Sequence, residues 1–110
     1  MDMNVKFDEL REELRTRMRM TEEAANDVGK KYITIQRMII MGGGSGFDFQ
    51  NGRLYLMSTE EGRDACALWE MAGMRYERAK AEMELSKFDL EWFIAAAHAG
   101  TPRNTENLKE

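Results

Sequence analysis

The feature that most restricts the fold of this chain is a seam without a break. Trp69, Ala72, Tyr76, Ala79, Met83, Ser86, Leu90, Phe93 and Ala97 recur at alternating steps of three and four residues. That spacing keeps one stripe of an α-helix facing a neighbouring helix, and no strand can satisfy it. Large residues alternate with small ones along most of the stripe, so the neighbour can approach at the short end of the usual range. The helix is expected to begin at Ser58 or Thr59, where Ser58 and Glu61 have capping-box spacing and Glu60, Glu61 and Asp64 suit the positive end of the dipole. Gly100 and Pro102 supply the stop signal after Ala99.

A second seam precedes it. Phe7, Leu10, Leu14, Met18, Thr21, Ala25, Val28, Tyr32, Ile35 and Ile39 step by three or four, with a stutter between Leu14 and Met18. The helix is predicted from about Phe7 to Met41, with Asn4 or Asp8 near its start. Gly29 lies off this seam and weakens the middle of the helix by roughly 1 kcal/mol relative to alanine.

Between the two lies MGGGSGFDFQNGRLYLMS, residues 41–58. Asn51-Gly52 is a preferred two-residue hairpin turn. Pairing across it puts Phe47, Phe49, Leu54 and Leu56 on one face and Asp48, Gln50, Arg53 and Tyr55 on the other. The expected fold is mainly α: two long antiparallel helices, coiled-coil-like, joined by a short two-stranded β-hairpin and completed by oligomerisation. Residues 1–100 form the expected domain and 101–110 a mobile tail.

The glycine run could instead be a phosphate loop, but that needs a strand before it, a helix after it and a lysine. GGGSG has a helix before it and no lysine nearby, so it reads as a joint that uses glycine's free φ. The run also resembles an engineered linker.

Charge narrows the partners. Residues 1–41 carry eight basic and eight acidic side chains, whereas residues 58–99 carry five basic against nine acidic, the source of the net −4. A phosphate backbone calls for a basic excess, so nucleic acid is disfavoured as the main partner. No apolar run approaches the ~18 residues of a membrane span, and MDMNVKFDEL lacks the basic and apolar blocks of a secretory signal. One cysteine, Cys66, leaves no internal disulfide. A reducing, cytoplasmic setting is the expectation, the host's cytoplasm if the chain is phage-encoded.

The chemistry-bearing residues favour bland roles. Cys66 sits near Asp64 and Glu70, which disfavour a thiolate. His98, the single histidine, falls in a last helical turn, where it complements the dipole. Glu12 and Glu13 have local partners in Arg15 and Arg17 at helical spacing, so they read as a solvated face. Arg11, Arg15 and Arg19 form a stripe flanked by acids. Ten methionines suggest core filler or an adaptable surface. No catalytic residue, metal ligand or cofactor is expected.

Surplus apolar surface points elsewhere. Leu85, Phe88 and Trp92 form a second stripe that a single neighbouring helix cannot cover, and Tyr32–Met41 is apolar around most of its circumference. Leu85, Phe88 and Trp92, with Phe47, Phe49, Leu54 and Leu56 of the hairpin, are the candidate interface. The expected function is a small non-enzymatic interaction module, dimeric by preference, that binds a second protein as an inhibitor, adaptor or assembly factor of phage or mobile-element type.

The sequence is open to three alternative readings. The order helix, β-hairpin, helix over roughly residues 7–99 is similar to that of prefoldin subunits, and the resemblance implies a holdase chaperone. The Arg11/Arg15/Arg19 stripe would serve a nucleic-acid binder. Glu9, Glu12 and Glu13 with Glu61 and Asp64 loosely resemble the helical carboxylates of all-α nucleotide pyrophosphohydrolases, which implies a magnesium-dependent hydrolase.

Overall fold

A computed structural model describes residues 3–42 and 56–99. Of these, 96% are helical and none lies in a strand. Helix α1 spans Met3–Met41 and helix α2 spans Glu60–Ala99. Their pairing makes a helical hairpin, as the two seams require.

The β-hairpin is the correction. Leu56, expected to end its second strand, is helical together with Met57. Its side chain is 1% exposed and packs with Ile35 and Ile39 of α1. The pull of that apolar cluster outweighs the local strand alternation. The rest of the predicted hairpin, including Phe47, Phe49 and Leu54, lies outside the described residues.

Contacts divide the helix pair into two compact units, one of α1 up to Met20 with α2 from Lys80, the other Thr21–Ala79. The larger core belongs to the second. There Ile35, Ile39, Leu56 and Ala72 are buried, with Met38, Ala65, Cys66 and Trp69 packed around the first three. Tyr32 meets Trp69 with ring centroids 6.1 Å apart, and the Thr21 hydroxyl donates to the Ala79 carbonyl at 3.2 Å. These two contacts fix an antiparallel register.

Entry into α2 depends on one glycine. Thr59 is the N-cap: its hydroxyl oxygen accepts from the Gly62 amide at 3.0 Å and donates to the Leu56 carbonyl at 3.3 Å. A Cβ on Gly62 would lie 2.1 Å from that carbonyl oxygen. Only glycine lets the chain fold back over the first turn and tuck Leu56 inside. The cap is therefore Thr59 rather than Ser58, because this backbone approach sets where α2 can start.

In the other unit Ser86 is the buried residue among those described, and Leu10, Leu14, Leu90 and Phe93 are half-buried. Arg17 donates to Glu82 across the pair and to Glu13 along its own helix at 3.3 Å. This corrects the predicted seam. Met18 is 53% exposed and Ala25 is exposed, while Arg17 and Ala24 turn inward. Arg17 can occupy a seam position because its aliphatic stem packs while its head finds Glu82. The four-residue stutter then falls at Val28 to Tyr32.

Candidate interaction surface

Seven residues were expected at the interface, and the structure distributes them unevenly. Leu85, Phe88 and Trp92 stand on one face of α2, 64%, 62% and 68% exposed. Steps of three and four put them within two turns, and the Phe88 and Trp92 rings stack at 6.5 Å and 16°. Leu56 is interior, spent on the core of its own unit. Phe47, Phe49 and Leu54 lie outside the described residues.

The polar candidates are engaged locally. Arg15 binds Glu12 at 2.7 Å and Arg17 binds Glu13 at 3.3 Å, the pairs read from helical spacing. The Arg11 guanidinium lies 5.7 Å from the centroid of the Phe7 ring, so part of the arginine stripe covers apolar surface rather than facing outward as a cationic row. Cys66 is half-buried against the Ile35–Ile39–Leu56 cluster. His98 falls in the last turn of α2, as expected. Among the described residues no three His, Cys, Asp or Glu side chains converge as metal ligands. No helix of the described residues is long and apolar enough to cross a membrane.

Sequence reasoning missed the grooves of the Thr21–Ala79 unit. One, about 550 Å³, is lined by Val28, Trp69, Glu70, Gly73, Met74 and Glu77. A second, about 290 Å³, lies among Lys31, Thr34, Met38, Glu61, Asp64 and Leu68. Elsewhere in this unit, Ile33 and Ile40 of α1 are 46% and 60% exposed. Gly73 was the available signal, a glycine inside an otherwise strong helix. What it signals depends on knowing which face of α2 is paired.

The arrangement offers apolar surface flanked by charge. That suits binding a complementary surface. No protein-family model, no curated protein and no solved structure is matched by this chain.

Proposed function

We propose that this chain is a non-enzymatic interaction module whose folding is coupled to self-association, and which in its assembled form binds a further protein as an inhibitor, adaptor or assembly factor. The observation that carries the reading is the exposed stack of Leu85, Phe88 and Trp92. Each keeps about two-thirds of its surface in water, and full burial of such side chains is worth about 1.5–3 kcal/mol apiece. Covering the remaining surface of all three therefore supplies roughly 3–6 kcal/mol before the costs of association. Few described residues are buried within the chain, so a second copy is the simplest source of a fuller core.

The test is solution mass by light scattering on the wild type and on Leu85→Glu/Trp92→Glu. A wild-type dimer that falls to monomer in the variant supports the reading. A wild type that is monomeric and stably folded at every concentration refutes it.

A further inference from the structure

We infer that, when two copies meet through the Leu85–Phe88–Trp92 stack, their acidic borders combine into a site for a basic segment of a partner protein, and that filling this site tightens the assembly. This rests on the self-association reading and names the chemistry of the further protein.

Three exposed carboxylates border the stack within its own unit. At about 100° per residue, Glu84 and Glu91 run along one side of it and Asp89 along the other. These are the positions that flank a seam between paired helices. None of the three forms an ion pair with another described residue, whereas Glu82, on the Asp89 side, is held by Arg17. Lys87 is the single basic residue from Ala81 to Ala97. It stands one row further round, behind Glu84 and Glu91, and offsets one of the three charges.

Symmetry turns this border into a site. An isologous contact sets the same patch of both copies together. With the helices antiparallel, Glu84 and Glu91 of one copy face those of the other. With the helices parallel, they face Asp89. In either direction carboxylate meets carboxylate, so the gain from covering the stack works against like charge. Lysine or arginine side chains laid along the joined borders exchange that repulsion for attraction. Nucleic acid and anionic lipid, which carry the same sign as the border, add to it. Because a single chain offers only half of the acids, a basic segment binds the paired state better and draws the equilibrium toward it.

The test uses Glu84→Gln/Glu91→Gln, since glutamine keeps the size and helix propensity of glutamate. Helical circular dichroism should be unchanged. At low salt the dissociation constant of the dimer, from sedimentation equilibrium, should be about three- to tenfold lower in the variant than in the wild type. Raising sodium chloride from about 0.01 M to about 1 M shortens the Debye length from about 30 Å to about 3 Å. It should tighten the wild-type dimer and close most of its gap to the variant. Oligolysine at micromolar concentration, too dilute to change the ionic strength, should tighten the wild type but not the variant, and oligoglutamate neither. That pattern supports the inference. If the wild type associates but the variant matches it and oligolysine has no effect, this inference falls while self-association stands. If oligolysine dissociates the dimer, basic chains compete for the stack instead of bridging its borders, and the inference falls as well. A wild type monomeric at every concentration, salt and oligolysine level overturns both.

Discussion

Gly62→Ala is a one-methyl change that should damage the chain more than many larger ones. The added carbon would lie 2.1 Å from the Leu56 carbonyl oxygen and 2.7 Å from its carbonyl carbon and Cα. Those are backbone atoms, so no rotamer change relieves the clash; the segment carrying Leu56 has to lift from the first turn of α2. Lifting it exposes a side chain that is 1% accessible, costing about 1.5–3 kcal/mol. It also strains the Thr59 cap, worth typically about 1 kcal/mol. Alanine's better helix propensity returns at most about 1 kcal/mol. The net expectation is a loss of about 1.5–3 kcal/mol, a large part of the roughly 5–15 kcal/mol that holds a domain folded. Urea unfolding followed by circular dichroism would read this as a midpoint lower by about 0.5–3 M, for a slope of about 1–3 kcal/mol/M. Wild type and variant must share one protein concentration, since the proposed self-association would make stability depend on it. Leu56→Ala should cost less in the Gly62→Ala background than alone, because the first change has already displaced that residue. A midpoint equal to or above wild type, or strict additivity of the two changes, would refute the close approach as the basis of α2's start.

The neighbours Ile39 and Ile40 give a sharper local contrast. Ile39 is 1% exposed and Ile40 60%, so alanine should cost about 2–5 kcal/mol at the first and under about 1 kcal/mol at the second, measured by thermal unfolding at low concentration. Similar costs at both would mean that α1 is rotated from the face described. Arg17 and Glu82 keep 31% and 43% of their side-chain surface in water, so their coupling in a double-mutant cycle should be under about 1 kcal/mol and shrink with added salt. A larger, salt-independent coupling would show that this pair, rather than the packed arginine stem, sets the seam.

What could be read from the sequence depended on how far each signal reached. The seam of α2 was legible from Trp69 to Phe93 because large and small residues alternate without a gap, and a helix pair needs little else. The seam of α1 around Met18 was not legible, because apolarity alone does not mark burial there: Met18 is 53% exposed. Arg17 is charged, yet its stem and its access to Glu82 suit the inward position better, and no count of apolar residues registers a partner 65 positions away. The β-hairpin failed at Leu56 for a related reason. Alternation and an Asn-Gly turn are local preferences, whereas Leu56 is placed by Ile35, Ile39 and the missing side chain of Gly62.

The candidate surfaces divide along the same line. Leu85, Phe88 and Trp92 could be found in advance because an excess of apolar residues over available cover can be counted along one helix. The groove lined by Val28 and Gly73 could not, since it appears only after pairing shows which sides of the two helices adjoin. Taken alone, Gly29 registers as a weak point in α1. Like Gly73 it faces open space among the described residues, whereas the backbone closes tightly around Gly62. A helix pair covers one stripe on each helix and leaves the rest to water or to a partner. Substituting Gly29 and Gly73 separates those outcomes because its effects on helix stability and association carry opposite signs. Added side chains that meet only water should strengthen the helices, whereas side chains that meet a second copy should strengthen the helices and weaken the assembly.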